Sequence, residues 1–196
     1  MTQAHIYLAS RSPRRGELLG QIGVTFEVLP SDVDEAVLAD EAPEHYVMRL
    51  ARAKAIVCVQ HLAAHGMPSR PVLAADTTVC IDGLILGKPE NDADAVAMLR
   101  RMSDRWHVVH TAIALATRER IEVALSSTQV EMAPLTEAEI AAYVASGEPR
   151  DKAGSYGIQG LAGTFVRRIE GSYSGVMGLP IYETAQLLNK FGVCVL

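Results

Sequence analysis

Residues 8–15, with the sequence Leu-Ala-Ser-Arg-Ser-Pro-Arg-Arg, put three arginines where a buried strand gives way to a helix. The apolar run 6–9 is typical of a buried strand, and Ser12-Pro13 is typical of a helix start, with serine as N-cap and proline in the first turn. The helix dipole disfavours cations at this end, yet Arg14 and Arg15 follow directly. A turn with hydroxyls, free backbone N–H groups and arginines suits a bound anion, and phosphate is the leading candidate.

The size and composition indicate one globular domain over residues 1–196. A chain of 196 residues can bury a full core, and 49% hydrophobic with 21% charged residues is ordinary for a soluble protein. The net charge of −5 argues against a nucleic-acid partner. No apolar run approaches the roughly 18 residues of a membrane span, and the amino terminus lacks a signal-peptide pattern. Three scattered cysteines suit a reducing compartment, so we expect a cytoplasmic protein with no membrane contact.

Strand and helix patterns alternate along the chain, which predicts an α/β fold with a mixed sheet. The predicted strands cover 6–9, 25–29, 72–75, a hairpin within 79–85, 106–116, 121–132 and 165–169. The predicted helices start at 13, 44, 92, 137 and 180. Two glycine-rich loops, 151–163 and 171–178, complete the pattern.

Carboxylates in two places are candidates for catalysis or metal binding. Asp76 follows the predicted strand 72–75, and α/β sheets bind ligands at the carboxyl ends of their strands. It is therefore a candidate metal ligand or general base, with a turn residue as the alternative. Asp32, Asp34 and Glu35 cluster in a loop, and Mg²⁺ needs only one or two protein carboxylates. The alternative there is a solvated acidic loop.

Two lysines are candidates for contact with the same anion. Lys54 lies on the apolar stripe of the helix predicted over 44–65, so it either extends along that stripe to the surface or points at an anion. Lys88 lies between Gly87 and Pro89, and it is either a fixed cation in a tight turn or an ordinary loop lysine. The sequence leaves both alternatives open.

The loop 151–163 is long and non-periodic, and loops of this length are often functional. Gln159 within it carries a donor and an acceptor side by side. That pair complements the N3–H and the adjacent carbonyl of a uracil or thymine ring. A purely structural glycine-rich loop is the alternative.

Taken together, these segments resemble the Maf-like family of nucleoside triphosphate pyrophosphatases, over nearly the whole chain and in the same order. The resemblance is carried by Ala9-Ser10-x-Ser12-Pro13-Arg14-Arg15, the acidic loop 32–35, Arg49-Leu50-Ala51-x-x-Lys54-Ala55, Ala75-Asp76-Thr77, Gly87-Lys88-Pro89, His107-x-Val109-x-Thr111, the loop 151–160 and Gly171-Ser172-Tyr173-x-x-Val176-x-Gly178-Leu179-Pro180. The loop sequence Asp-Lys-Ala-Gly-x-Tyr-Gly-Ile-Gln-Gly is similar to the branch acting on dTTP and UTP. The branch that prefers 7-methyl-GTP has a different loop here.

This resemblance implies hydrolysis of a nucleoside triphosphate between the α and β phosphates, giving a monophosphate and pyrophosphate. Asp76 would be the catalytic proton acceptor. Base specificity would come from Arg14, Thr77 and Gln159. The triphosphate would be held by Ser10, Arg15, Lys54 and Lys88. A divalent cation, Mg²⁺ or Mn²⁺, would be held by Glu35 and Asp76.

The resemblance also implies a mixed, twisted central sheet flanked by helices, like that of inosine triphosphate pyrophosphatases, with an active-site cleft between two lobes. Family members often form homodimers, so we expect one here, and we expect Arg11 to be peripheral. Two other functions stay open. One is a non-catalytic nucleotide-binding regulator of cell division or septum formation, and the other is a purine or 7-methyl-GTP pyrophosphatase using the same site.

Overall fold

The structure is a computed structural model that describes residues 5–195, and in these residues seven strands form one mixed sheet. The strands are β1 (His5–Leu8), β2 (Thr25–Val28), β3 (Val72–Ile81), β4 (Leu84–Leu86), β5 (Trp106–Ala116), β6 (Ile121–Met132) and β7 (Val166–Glu170). The order is β2-β1-β3-β5-β6-β7, with β4 paired to β3. Strand β1 is parallel to β2 and β3, whereas β3, β4, β5, β6 and β7 pair antiparallel. The predicted α/β class with a mixed sheet is confirmed.

The helices flank this sheet, and several begin at predicted caps. They are α1 (Pro13–Gln21), α2 (Pro43–Ala64), α3 (Asp92–Met102), α4 (Glu137–Ala145), α5 (Tyr173–Met177) and α6 (Ile181–Lys190). The side chain of Asn91 accepts from the backbone N–H of Asp94 at 3.0 Å, and Thr136 with Glu139 forms the expected capping box. Within residues 5–195, no helix is long and apolar enough to cross a membrane.

Strand β3 is longer than predicted. The sequence ends it at residue 75, before Asp76, but the strand continues to Ile81 because β5 pairs with it over the whole range 72–80. Thr77 and Thr78 are β-branched and suit the continued strand. Asp76 therefore lies within a strand and not in a turn at its end.

The two glycine-rich loops contain more regular structure than their composition suggests. Residues 171–178 include the short helix α5, because Ser172 caps it by accepting from the backbone N–H of Gly175 at 3.0 Å. Residues 148–165 contain three 3-10 turns, at Glu148–Asp151, Ala153–Ser155 and Leu161–Phe165. The last of these turns includes Phe165, so β7 begins one residue later than predicted.

The core forms three apolar clusters, which alternate along β3 because successive side chains of a strand point to opposite faces. Val72 and Ala74 pack under α2, while Leu73 and Ala75 pack with residues of α1 and α6. Further along, Val79 and Ile81 belong to a third cluster with α3 and α4. The first half of β3 thus supports packing on both faces of the sheet, and its far end supports a separate cluster.

Candidate active site

The site lies at a gap along one edge of β3. Strand β5 pairs with β3 along the other edge, so β1 and β4 must share this one. Strand β1 pairs with Val72 and Leu73, and β4 pairs with residues 79–81. The stretch 74–78 therefore has no strand beside it on this edge. Asp76 and Thr77 lie in the middle of the gap.

Asp76 lies on the same face as Val72 and Ala74, toward α2, and there it meets Lys54. The Nζ of Lys54 lies 2.6 Å from Oδ1 of Asp76 and 2.6 Å from Oε1 of Glu35. The Lys54 side chain is only 12% exposed, so it does not extend to the surface. Of the two alternatives that the sequence left open for this lysine, it points inward, and here its partners are two carboxylates.

The protonation of the two carboxylates follows from their surroundings. Burial raises the pKa of Asp76, and this outweighs the opposing effects of Lys54 and Arg15. Burial alone would raise the pKa of Glu35 as well. The hydrogen bond from Lys54 and the nearby cations outweigh burial, so the pKa of Glu35 is lowered. Of the pair, Asp76 is thus the carboxylate better suited to take up a proton.

Arg15 ties the first helix turn to the other face of β3. Its Nε donates to the carbonyl oxygen of Gly178 at 2.8 Å, and its Nη1 and Nη2 donate to Ser10 Oγ at 3.1 Å and to Thr77 Oγ1 at 3.2 Å. Thr77 Oγ1 also lies 2.9 Å from Oγ1 of Thr111. Burial lowers the pKa of Arg15, although a guanidinium stays charged in proteins.

The other two arginines of the first motif lie further out. Arg14 Nη1 donates to Oδ2 of Asp151 at 3.4 Å, which links α1 to the loop that carries Gln159. Arg11 forms a bidentate pair with Asp32, at 3.0 and 3.1 Å, and both side chains are largely exposed. Arg11 thus lies at the exposed edge of the cavity that it helps to line, and its peripheral role stays a prediction.

These elements enclose a cavity of about 590 Å³. The residues with expected roles in the proposed reaction line it: Ser10, Arg14, Arg15, Glu35, Lys54, Asp76, Thr77, Lys88 and Gln159. Of the other two carboxylates of the acidic loop, Asp32 lines it and Asp34 does not, since its side chain accepts from the backbone N–H of Ala36 at 2.9 Å. Lys88 and Gln159 are exposed at its opening, whereas Ser10 and Asp76 are buried. The structure therefore brings together residues that are up to 149 positions apart in the chain, since Ser10 and Gln159 share the cavity (159 − 10).

Sequence reasoning missed several residues that line or support the cavity. Tyr46 lines it two turns before Lys54 on α2, and its hydroxyl donates to the carbonyl oxygen of Glu35 at 3.0 Å. Tyr156 also lines it, with its hydroxyl 2.7 Å from Nε2 of His107. The eight-residue spacing of Tyr46 and Lys54, which puts them on neighbouring faces of one helix, is a signal that could have found the first. Nothing local in the sequence pairs Tyr156 with His107.

The donor set suits a metal that takes only a few protein ligands. Within residues 5–195, no group of three or more His, Cys, Asp or Glu side chains is arranged to hold a metal ion. Glu35 and Asp76 nevertheless converge on one cationic nitrogen, so their oxygens already share a position that a positive charge occupies. Two carboxylates with substrate phosphates and water complete the shell that Mg²⁺ favours.

Comparison with known proteins gives a consistent family. The family model of Maf-like protein matches residues 5–191. The chain is 64% identical to the dTTP/UTP pyrophosphatase of Methylobacillus flagellatus, covering 100% of this chain and 96% of that one. It is 56% identical to the dTTP/UTP pyrophosphatase of Ralstonia nicotianae, covering 96% and 95%, and 54% identical to that of Burkholderia pseudomallei, covering 94% and 92%.

Solved structures give weaker likenesses. The Staphylococcus aureus Ham1 protein has a TM-score of 0.42 and 16% identity, covering 66% of this chain and 72% of that one. A nucleoside-triphosphatase / dITP/XTP pyrophosphatase from Mycobacterium abscessus has a TM-score of 0.41 and 18% identity, covering 95% and 94%. Both likenesses are weak, so the fold rests on the strand order described above. The family assignment depends on the family model, which matches residues 5–191, and on relatives that are more than 50% identical in sequence. By both findings, the chain belongs to the Maf-like protein family.

Proposed function

We propose that this protein hydrolyses dTTP and UTP to the nucleoside monophosphate and pyrophosphate. The observation that carries the proposal is a buried carboxylate, Asp76, in a cavity lined by Lys54, Lys88 and the arginines of the first helix turn. Relatives that match nearly the full chain at 54–64% identity are named dTTP/UTP pyrophosphatase, which supports the substrate class. Such an enzyme would remove unwanted pyrimidine triphosphates, canonical or modified, from the nucleotide pool.

The proposed reaction is the attack of water on the α phosphorus. A new bond forms between the water oxygen and the α phosphorus, while the bond to the bridging oxygen breaks and pyrophosphate leaves with that electron pair. Asp76 accepts the proton of the water, which suits a carboxylate whose pKa burial raises. Ser10, Arg15, Lys54 and Lys88 hold the triphosphate, so positioning and electrostatics supply most of the rate.

A divalent cation fits the same geometry. Glu35 and Asp76 would hold Mg²⁺ or Mn²⁺ together with phosphate oxygens of the substrate. When bound, the ion neutralises charge that develops on the phosphates. Lys54, which pairs with both carboxylates, is then available to the triphosphate.

Base selection is proposed for the loop side of the cavity. The exposed amide of Gln159 would pair with N3–H and a carbonyl of a pyrimidine ring, while Arg14 and Thr77 would contribute to discrimination. Arg14 is tied to Asp151 and Thr77 to Arg15, so both have fixed positions before substrate binds.

The test is pyrophosphate release from dTTP, UTP, 7-methyl-GTP and ITP, measured side by side with Mg²⁺, with Mn²⁺ and with a chelator. We expect metal-dependent release that is fastest with dTTP and UTP. Release fastest with ITP or 7-methyl-GTP would favour the purine alternative. Nucleotide binding without release would favour the non-catalytic regulator of cell division.

The homodimer and the cytoplasmic location are also part of the proposal. The net charge of −5 supports the expectation of no nucleic-acid partner. Sedimentation of the purified protein would test the homodimer.

A further inference from the structure

Glu35 lies on a segment that its own backbone does little to hold. Residues 29–42 connect β2 to α2 and contain neither helix nor strand, only a turn at Ala39 and Asp40. Leu29 packs against the core at the start of the segment, but the apolar residues after Glu35 do not anchor it, since Val37 is 50% exposed and Leu38 is 56% exposed. Polar contacts from elsewhere must therefore fix the position of Glu35.

Arg49 of α2 supplies such contacts. Its Nε and Nη2 donate to the two carboxylate oxygens of Glu41 at 2.6 and 2.7 Å, and Nη2 also donates to the carbonyl oxygen of Ala36 at 2.9 Å. Glu41 in turn accepts from the backbone N–H of Leu38 at 3.1 Å, and its side chain is only 7% exposed. One guanidinium thus binds both ends of the stretch 36–41, in the bidentate geometry that makes such pairs strong.

A second route connects Arg49 to Glu35. The guanidinium of Arg49 lies 5.6 Å from the ring centroid of Tyr46, within range of a cation–π contact. The hydroxyl of Tyr46 donates to the carbonyl oxygen of Glu35 at 3.0 Å. Arg49 therefore supports the residue directly after Glu35 and also the side chain that holds the Glu35 backbone.

Arg49 is not among the residues that line the cavity, whereas Tyr46 and Lys54 of the same helix are. The carboxylate of Glu35 meets the Nζ of Lys54, which meets Asp76. Helix α2 thus supplies Lys54, which lies between the two carboxylates, and Arg49, which binds the loop that carries Glu35. We propose that Arg49 is a positioning residue that holds Glu35 opposite Asp76 for metal binding, an inference that rests on the proposed assignment of Glu35 to the metal.

The experiment measures Mn²⁺ binding to the whole purified protein by electron paramagnetic resonance, with Mn²⁺ alone as the probe. Arg49→Leu is expected to weaken binding about 10-fold, as loss of a residue that orients a metal ligand does. Arg49→Lys keeps the charge but cannot bind Glu41 and Ala36 at the same time, so its Mn²⁺ affinity should be close to that of Arg49→Leu. Arg52→Leu, an exposed arginine one turn further along α2, is the matched control and should bind Mn²⁺ like the unmodified protein.

The decisive comparison is with Glu35→Gln. If Arg49 acts through Glu35, the double variant Arg49→Leu/Glu35→Gln binds Mn²⁺ no more weakly than Glu35→Gln alone. Additive losses, or a loss in Glu35→Gln with none in Arg49→Leu, would overturn the inference while leaving the metal assignment intact. No loss in Glu35→Gln would overturn the metal assignment and the inference with it, and pyrophosphate release by the unmodified protein reports separately on the proposed activity.

Folding is checked by the thermal midpoint of each variant. Where Arg49→Leu does not fold, Glu41→Gln serves in its place, because it keeps the shape of the side chain but removes the charge that Arg49 clasps. A well-folded Glu41→Gln is expected to weaken Mn²⁺ binding several-fold. Unchanged binding in that variant would contradict the inference.

Discussion

Lys54 and Asp76 form a buried ion pair, with Nζ of the lysine 2.6 Å from Oδ1 of the aspartate. Burying either charge alone would be costly, and each offsets part of the desolvation of the other. The same Nζ contacts Glu35, so one ammonium group holds together the two carboxylates of the proposed metal site. These contacts hold Glu35 and Asp76 close together before any substrate binds.

Asp76→Asn is expected to abolish turnover while the fold stays intact. The amide fills the same space but cannot accept the proton of the attacking water, and loss of a general base lowers rates by about 10²- to 10⁴-fold. Pyrophosphate release and the thermal midpoint are measured on the same preparation. Near-normal release from a folded variant would exclude Asp76 both as the base and as a metal ligand.

Lys54→Met is expected to bind Mn²⁺ more tightly than the unmodified protein when no nucleotide is present, although turnover falls about 10²-fold. The reason is that the lysine no longer competes for Glu35 and Asp76, while the triphosphate loses a cation. Lys190→Met is the control, because that lysine pairs with Glu122 at the surface. Weaker Mn²⁺ binding by Lys54→Met would show that the ammonium helps to build the metal site and does not occupy it.

Gln159→Ala is expected to lower kcat/KM for dTTP and UTP about 10-fold, since a paired amide contributes on the order of 1–3 kcal/mol. Activity with ITP should change less, so the ratio of kcat/KM for dTTP or UTP to that for ITP should fall. The matched control is Gln186→Ala, an exposed glutamine on α6. Equal losses with all nucleotides would assign Gln159 to the triphosphate or to the loop and not to the base.

The stability of the protein is expected to depend on pH through His107. Burial lowers the pKa of this ring to about 4, from an ordinary value of 6.5, so the folded protein favours the neutral form. The unfolded chain then binds more protons between pH 4 and pH 6.5, and the free energy of unfolding falls as pH drops through that window. The loss is on the order of 3 kcal/mol and is complete near the lower value.

Urea unfolding at several pH values tests this dependence. His107→Gln keeps a polar group toward Tyr156 but cannot titrate, so its stability should fall less over the same range. Parallel profiles for the two proteins would mean that His107 is not responsible for the acid loss.

Gly154→Ala is expected to destabilise the fold more than Gly66→Ala. Both glycines have left-handed backbones, with φ of +67° and +61°, so both substitutions carry a strain of about 1 kcal/mol. A Cβ at Gly154 would lie 2.7 Å from Cγ2 of Val79, whereas nothing lies within 4 Å at Gly66. Overpacking should therefore add about 1–3 kcal/mol at Gly154, measured by urea unfolding. Equal losses at the two positions would show that Val79 moves aside freely.

The sequence was a good guide to elements with strong local signals. Strands β5 and β6 have the predicted bounds, and the capping box at Thr136 and Glu139 starts α4 as expected. Strand β3 was predicted to end at residue 75, with a separate hairpin within 79–85, because the pairing with β5 that joins the two segments through residues 76–78 leaves no local pattern. Helix α5 was predicted as loop because five residues with glycine carry little helical signal, and its cap at Ser172 was not recognised.

The candidate site divides in the same way. Local chemistry predicted an anion site at residues 10–15, because arginines in the first turn of a helix oppose its dipole. It could not choose between inward and outward positions for Lys54, since the side chain is long enough for either and its helix stripe permits both. The contacts of Arg49 were not predicted, because Ala36 and Glu41 lie in a segment whose sequence has no helix or strand periodicity.

By itself, the sequence determined the alternation of strands and helices, the charged residue types of the site and the family to which they belong. These follow from short-range propensity and from motifs that keep their order along the chain. Only the tertiary structure decided that β1 and β4 leave a gap beside Asp76, and that Lys54 bridges Asp76 and Glu35. It also decided that Arg49 binds the loop that carries Glu35. Those contacts join residues far apart in the chain, and their distances are set by packing of α2 on the sheet, which no local pattern encodes.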